Sequence, residues 1–288
     1  METNLSELEK IGKLALQAAH KLHNDLGQSG EEMVSKNQFG DTAMRADIEA
    51  EQAVLGVLRQ FNLPITVISE EHGTTNIGDN PTYLGILDGL DGSYLYKEQR
   101  GKGRYGTMFA IYANTDPQYN EYLFGGIIEH ASNRLYFATK GNGSFVLENG
   151  VQTPIHVSGA TQLSPSVSRI YADTYYDTVY KTDVITSKVK KLQSTGYSIS
   201  CLRSSAIHYA DLAQGNADAV IENTRKGNLE IAVSFPLVVE AGGKMVDING
   251  TNLENQKYLT FGQDKNVPII SANSLQLANE LCSVLQGS

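Results

Sequence analysis

The chain has little cysteine, no tryptophan and fewer basic than acidic residues. Only two of its 288 residues are cysteines, Cys201 and Cys282, which excludes a disulfide framework and a cysteine-rich zinc site and fits a reducing compartment. Lysine and arginine number 23 against 32 aspartates and glutamates, so the formal net charge is −9. Because proteins that bind a nucleic-acid backbone normally carry a basic surface, we expect no nucleic-acid partner.

Long hydrophobic runs are also missing. No apolar stretch reaches the roughly 18 residues that a membrane span needs, and Met1–Leu16 shows no basic leader before an apolar segment. The sequence therefore predicts no membrane segment and no secretory signal, and the cytoplasm is the expected compartment. The 41% of hydrophobic and 19% of charged residues are typical of a globular protein with a substantial core.

Hydrophobic spacing predicts a mixed α/β architecture. Apolar residues recur at helical intervals over residues 5–25 and 42–61. Strand-like segments punctuated by glycine and asparagine follow between residues 108 and 147, which indicates an antiparallel meander.

A change in composition divides the chain into two parts. Pro154 and Pro165 lie in a polar stretch, so we place an α+β N-terminal domain at residues 1–150 and an α/β C-terminal domain at residues 151–288. In the second part strands alternate with helices, and the first of these helices is predicted over residues 173–191.

The acidic residues are distinctive because of where they occur. The apolar segments 65–69 and 83–87 end at carboxylates, with Glu70 after the first and Asp88 and Asp91 after the second. In α/β proteins the chemistry lies at such strand ends. Two acids three residues apart on a glycine-containing turn repel each other unless a proton or a divalent cation binds, and oxygen ligands suit Mg²⁺. The same run of residues is, by itself, also an ordinary polar turn.

Four acid-containing segments along the chain are informative when they are considered together. They are Asp47 with Glu51, Ser69-Glu70-Glu71, Asp88 to Ser93, and Leu229-Glu230-Ile231-Ala232 leading to Glu240-Ala241-Gly242-Gly243. Together, and in this order, they resemble the inositol monophosphatase family, which belongs with fructose-1,6-bisphosphatases to the lithium-sensitive, magnesium-dependent phosphatases. The resemblance implies a layered α-β-α-β-α sandwich, an active site between the two halves, and a homodimer.

The resemblance also implies roles for single residues. The implied Mg²⁺ ligands are Glu70, Asp88, the Leu90 carbonyl, Asp91 and Glu230. The implied catalytic residues are Asp47, Glu70 and Ser93, with Asp47 and Ser93 orienting the attacking water. The implied substrate contacts are Gly92, Ser93, Ser204 and Glu222, and Arg203 beside them is a further candidate substrate contact.

The sequence departs from the family pattern at several of these positions. Glu230 replaces a usual aspartate, Leu95 an asparagine and Leu229 a tryptophan. Gly89 replaces a proline, which we expect to loosen the turn. Arg203 replaces a glycine, and its guanidinium could bind a second phosphate or a carboxylate, although an exposed or salt-bridged arginine is an equally good interpretation.

The sequence thus predicts a magnesium-dependent phosphomonoester hydrolase that uses a metal-activated water. Its expected partner is a small phosphorylated metabolite, with inositol monophosphate or a similar sugar phosphate as the substrate. Fructose-1,6-bisphosphatase and adenosine 3′,5′-bisphosphate phosphatase are alternatives of the same class. A catalytically silent relative that binds a phosphorylated metabolite is the alternative of another class, and the departures from the family pattern motivate it.

Overall fold

The helices and strands belong to a computed structural model that describes residues 4–37, 42–174, 186–224, 226–263 and 265–287. The helices are α1 Leu5–Leu26, α2 Arg45–Gln60, α3 Ser93–Gln99, α4 Thr186–Ser194, α5 Ser205–Ala213, α6 Leu229–Glu240 and α7 Leu275–Gln286. The strands are β1 Met33–Lys36, β2 Thr42–Met44, β3 Ile65–Ser69, β4 Gly73–Ile77, β5 Tyr83–Asp91, β6 Gly106–Ala113, β7 Tyr122–Glu129, β8 Arg134–Thr139, β9 Gly143–Glu148, β10 Val151–Ile155, β11 Ile170–Ala172, β12 Ile199–Ser200, β13 Ala219–Asn223, β14 Lys244–Asp247 and β15 Pro268–Ala272.

The first two helices follow from their apolar spacing. Helix α1 begins at the N-cap Asn4, whose side chain accepts a hydrogen bond from the N–H of Glu7, and it buries a stripe of apolar residues as predicted. Helix α2 begins at Arg45, three residues later than predicted. The residues before it, Thr42–Met44, instead pair with β1 in a short antiparallel hairpin.

The described residues form one eight-stranded sheet in the order β10-β9-β8-β7-β6-β5-β3-β4. Strand β5 runs parallel to β3 and antiparallel to β6, and all nine of its residues are buried. The predicted meander is therefore confirmed. The sheet also includes β10, Val151–Ile155, and so extends beyond residue 150; the division of the chain into two domains stays a prediction.

A second sheet has the order β12-β11-β13-β15-β14 among the described residues. Strand β11 is parallel to both of its neighbours, and β15 is antiparallel to β13 and β14. Part of the helix predicted over residues 173–191 lies outside the described residues. The part that the structure describes is α4, Thr186–Ser194.

The two sheets are separated and flanked by helices. Helices α1 and α2 cover the outer face of the first sheet, α5 and α6 fill the space between the sheets, and α4 and α7 cover the second sheet. This order is the predicted α-β-α-β-α sandwich, which is confirmed. None of the helices in the described ranges combines the length and the hydropathy needed to cross a membrane.

A proline inside α6 is accommodated by a tyrosine from the first sheet. Pro236 has no N–H group, so it cannot bond the carbonyl of Ala232 four residues earlier. The buried hydroxyl of Tyr112 donates to that carbonyl instead, at 2.6 Å. Helix α6 is thus fixed against the first sheet at the point where its own hydrogen bonding is interrupted.

An arginine joins the two halves of the chain outside the apolar core. Arg104 donates from Nε to Glu129 at 2.7 Å and from Nη1 to Asp211 on α5 at 2.9 Å. Both carboxylates are almost completely buried. Asp211 also accepts hydrogen bonds from Tyr171 and Gln214. One guanidinium therefore neutralises two buried acids from different halves.

Three histidines meet beneath the turn that follows Asp88. The ring centres of His23 and His130 are 3.8 Å apart, and Nδ1 of His20 lies 3.4 Å from Nδ1 of His130. Nε2 of His130 lies 3.0 Å from the hydroxyl oxygen of Thr107, which donates to the carbonyl of Gly89. Burial lowers the pKa of His23 to about 4, and burial followed by the other two histidines lowers the pKa of His130 well below its ordinary value.

Replacing Arg104 should destabilise the fold more than breaking a surface ion pair. Arg104→Gln leaves Glu129 and Asp211 buried without their cation, so we expect the free energy of unfolding to fall by about 3 kcal/mol in denaturant titrations. Arg134→Gln is the matched control. It breaks the half-exposed pair with Glu148 and should cost less than about 1 kcal/mol. Equal losses in the two variants would contradict the argument.

The buried histidines should make the fold sensitive to mild acid. Between pH 6.5, the ordinary value for histidine, and about pH 4, the unfolded chain protonates His23 while the folded chain keeps it neutral. Stability is therefore fully present above this window and is lost as the pH falls through it, by about 3 kcal/mol.

Unfolding at several pH values checks this expectation. His23→Phe removes the titrating ring and should flatten the dependence in the window, whereas His156→Gln, at a solvent-exposed position, should leave it unchanged. A wild-type slope retained in His23→Phe would show that other groups cause the effect.

Candidate metal centre

Strand β5 ends in an irregularity that brings two acids close together. The pairing of β5 with β6 shifts register between Asp88 and Asp91, as in a β-bulge. The N–H of Leu90 donates to Oδ1 of Asp88 at 3.0 Å, which holds the bulge in place. Gly92 then adopts a left-handed φ of 87°, and α3 begins at Ser93. An added Cβ at Gly92 would lie 3.1 Å from Ser204, so the turn packs directly against the second half.

Helix α6 brings a third acid to the same place. Oxygens of Asp88, Asp91 and Glu230 all lie within 4.8 Å of one another, and each of the three side chains is less than a tenth exposed. Glu230 is in the first turn of α6, 139 positions after Asp91 in the sequence. The three acids fit a hard divalent cation in both chemistry and spacing.

Burial and the neighbouring acids raise the pKa of two carboxyl groups in this region. Burial, and next the carboxylates of Glu70, Asp91 and Glu230, raise the pKa of Asp88 well above its ordinary value. Burial, followed by Glu70 and Glu71, raises the pKa of Asp47 in the same way. A bound cation would offset this repulsion, because it favours the ionised form of each acid.

The start of helix α5 fixes one of these acids. Oδ2 of Asp91 accepts hydrogen bonds from the Ser204 hydroxyl at 2.5 Å and from the N–H of Ala206 at 2.8 Å. Ser205 donates to Oε1 of Glu222 at 2.6 Å, and Glu222 is completely buried. The structure therefore connects Ser204, a predicted substrate contact, to Asp91; substrate roles for Ser204 and Glu222 stay predictions.

A buried glutamate anchors the turn that carries Glu70. Oε2 of Glu51 accepts from the hydroxyl of Ser69 at 2.7 Å and from the N–H of His72 at 3.0 Å, and it lies 2.7 Å from Nδ1 of His72. Oε1 of Glu51 accepts from the N–H of Glu71 at 3.0 Å. The residues on both sides of Glu70 are thus bound to one carboxylate on α2.

Asn37 reaches the same turn from the end of the N-terminal hairpin. Its side-chain amide donates to Oε1 of Glu70 at 3.0 Å and to Oε1 of Glu71 at 3.1 Å. The sequence contains no signal for this contact, because Asn37 lies 33 positions before Glu70, directly after an exposed strand.

Gly89 allows helix α2 to approach the metal-binding turn. An added Cβ would lie 2.4 Å from the carbonyl oxygen of Asp47 and 2.9 Å from Cγ of Glu51, which is closer than real contacts allow. The carbonyl of Gly89 is itself held by the Thr107 hydroxyl at 2.7 Å. The missing side chain thus allows a close packing of the turn on α2, and the expectation that glycine loosens the turn stays a prediction.

An arginine and a tyrosine from different halves stack beside the turn. Arg203 has a left-handed φ of 60°, which is unusual for a residue with a Cβ, and its guanidinium lies 4.7 Å from the centre of the Tyr94 ring. Tyr94 follows Ser93 on α3, and Tyr94 and Arg203 are both exposed. Arg203 is one residue from Ser204, so this pair adjoins the acidic cluster.

Comparison with known proteins agrees with the geometry. A sequence profile described as "Inositol monophosphatase family" matches residues 2–286. A fructose-1,6-bisphosphatase/inositol-1-monophosphatase of Methanothermobacter thermautotrophicus is 27% identical over 265 residues, which cover 88% of this chain and 87% of that protein. An inositol monophosphatase of Mesembryanthemum crystallinum is 26% identical over 218 residues, which cover 74% of this chain and 76% of that protein.

A solved structure shares the fold over almost the whole chain. The inositol monophosphatase of Anabaena superposes with a TM-score of 0.75 at 23% identity, covering 99% of this chain and 97% of that one. With the family profile spanning nearly every residue, the buried acids lie on segments that the match includes. The chain belongs to the inositol monophosphatase family.

Proposed function

We propose that this protein is a Mg²⁺-dependent phosphatase that releases phosphate from inositol monophosphate or a similar small sugar phosphate. Its family supports a metal-dependent phosphatase. The observation that carries the proposal is the buried group of Asp88, Asp91 and Glu230, whose oxygens converge from β5 and α6.

Five groups are proposed to hold the metal. They are the side chains of Glu70, Asp88, Asp91 and Glu230 and the carbonyl of Leu90. Bound Mg²⁺ supplies charge neutralisation at the phosphate and lowers the pKa of a coordinated water. The chain contributes the spacing of these ligands, and the contacts of Asp91 with Ser204 and Ala206 keep one of them in a single orientation.

The remaining proposed residues position water and substrate. Asp47 is on the first turn of α2, where its Oδ2 accepts the N–H of Met44 at 3.1 Å, so its second oxygen is available to orient a water. Ser93 is the proposed partner in that task and follows the left-handed Gly92. Gly92 and Ser93 are proposed to donate backbone N–H groups to the phosphate, and Arg203, Ser204 and Glu222 are proposed to contact the rest of the substrate.

Fructose-1,6-bisphosphatase activity is the second candidate. Arg203 places a guanidinium one residue from Ser204 and stacked on Tyr94, where it would suit a second anionic group on the substrate. The relative from Methanothermobacter thermautotrophicus has both activities in its name. Adenosine 3′,5′-bisphosphate is a further substrate for the same test, since it too carries two phosphates.

The proposal also covers the cellular setting of the enzyme. A homodimer and a cytoplasmic location rest on the family resemblance and on the composition of the chain. The absence of a nucleic-acid partner rests on the net charge of −9. A small phosphorylated metabolite is the proposed partner.

Asp88→Asn should abolish phosphate release while the protein stays folded. The amide cannot supply the charge that a divalent cation needs, so we expect at least a thousandfold loss of kcat/KM, or about 4 kcal/mol of transition-state stabilisation. Phosphate release is measured with and without Mg²⁺ on inositol phosphates, fructose 1,6-bisphosphate and adenosine 3′,5′-bisphosphate.

Asp247→Asn is the matched control. Asp247 caps a turn after β14 through the N–H groups of Asn249 and Thr251, and the isosteric change there should leave turnover unaffected. Full activity in Asp88→Asn would overturn the metal assignment. No turnover of any substrate by the wild type, together with no Mg²⁺ binding, would favour the silent, metabolite-binding relative.

A further inference from the structure

We propose that Glu51 is a positioning residue that sets the metal affinity of the site by holding Glu70 in place. The inference rests on the proposed function, because it assumes that Glu70 is a ligand of the divalent cation. Glu51 itself is completely buried and is directed at the turn Ser69–His72 rather than at the acidic cluster.

The contacts of Glu51 enclose Glu70 on both sides. The hydroxyl of Ser69 and the N–H groups of Glu71 and His72 all donate to its carboxylate, and the His72 ring nitrogen Nδ1 lies 2.7 Å away. A carboxylate is acceptor-only, which is what a turn presenting three donors and a ring nitrogen requires. The backbone on either side of Glu70 is therefore fixed by one side chain.

The same helical turn touches the other parts of the site. Asp47 precedes Glu51 by four residues and so lies on the same face of α2. Gly89, between the ligands Asp88 and Leu90, packs against the Asp47 carbonyl and against Cγ of Glu51. Glu51 is thus in contact with the Glu70 turn and with the Asp88 turn at once, and a change in its position moves one ligand relative to the others.

A positioning role and a contribution to stability alone predict different metal affinities for a Glu51 variant. Glu51→Gln keeps the size of the side chain but turns one oxygen into an NH₂ group that faces donors, so the Ser69–His72 turn must move. Groups that orient metal ligands typically change metal affinity by about 10–100-fold when they are lost, and Glu51 orients Glu70 through the residues on either side of it. A buried carboxylate that served only stability would lower the melting temperature without that change.

Glu240 provides the matched control carboxylate. It accepts the N–H groups of Gly141 and Gly143 at 2.7 and 2.9 Å and the hydroxyl of Tyr122 at 2.7 Å, so it binds a turn in the same manner as Glu51. It is the last residue of α6, ten residues and about 15 Å along the helix from Glu230. Glu240→Gln should therefore destabilise the protein without affecting the metal.

The test is calorimetric titration of Mg²⁺ into the metal-free full-length protein, with thermal unfolding of each variant in parallel. We expect Glu51→Gln to weaken Mg²⁺ binding at least about tenfold and Glu240→Gln to change it less than about twofold, while both lower the melting temperature. In activity assays, Glu51→Gln should raise the Mg²⁺ concentration for half-maximal velocity by the same factor as the dissociation constant.

A second variant decides the matter if Glu51→Gln does not fold. Ser69→Ala removes one of the contacts of Glu51 and should weaken Mg²⁺ binding about two- to fivefold, as expected for the loss of one hydrogen bond. A folded Glu51→Gln, or failing that a folded Ser69→Ala, with wild-type Mg²⁺ affinity overturns the inference. Wild-type protein that binds no Mg²⁺ would instead overturn the proposed function.

Discussion

Mutual repulsion between buried carboxylates is the constraint on which the rest of the site depends. Asp88, Asp91 and Glu230 are all nearly inaccessible to solvent, and burial together with its neighbours raises the pKa of Asp88. Because these buried carboxylates repel one another, the backbone has to hold them in place. Each acid is accordingly fixed by a different element: β5 through its bulge, α5 through Ser204 and Ala206, and α6 through its first turn.

The fold offsets this unfavourable arrangement with a core that the two halves share. Apolar residues of β5 and β6 pack against α5 and α6, and the same continuous cluster includes apolar residues of the second sheet. Tyr112 ties α6 to the first sheet, and Arg104 neutralises buried acids from both halves. The acids that would bind the metal come from elements on either side of this core, so the position of Glu230 relative to Asp88 is set by the packing between the halves.

Local sequence patterns predicted those helix and strand boundaries that depend only on neighbouring residues. Strand β3 ends at Ser69 as predicted, because an apolar run followed by acids and glycine is a signal that needs no distant partner. Strand β5 runs to Asp91 instead of Leu87, because the bulge keeps the acids within the pairing with β6. Thr42–Met44 were predicted as the start of α2, but their pairing with β1 overrides the helical pattern.

Contacts between distant segments could not be predicted from local sequence patterns. The spacing of His20, His23 and His130 does not indicate that their rings meet, since 107 positions separate the last two and α1 has to cross the first sheet to bring them together. The binding of the Glu70 turn by Glu51 and by Asn37 likewise depends on how α2 and the hairpin pack. Of Glu51 and Asn37, the sequence analysis noted only Glu51, as part of a segment that resembles the family pattern, and it assigned that residue no role.

The departures from the family pattern are accommodated by the structure, which bears on the alternative of a silent relative. Leu229 is buried in the core between the sheets, and Leu95 packs in a cluster with Leu90 and Tyr105 beneath the site. Gly89 stands where the family has a proline, and it lets α2 approach the turn closely. Glu230 is longer than the usual aspartate, yet its oxygen meets those of Asp88 and Asp91.

A site decaying without selection would lose buried charge first, because unpaired buried acids destabilise the fold. Here Asp88, Asp91 and Glu230 are all acids, buried and close together, which is what a working metal-dependent phosphatase requires.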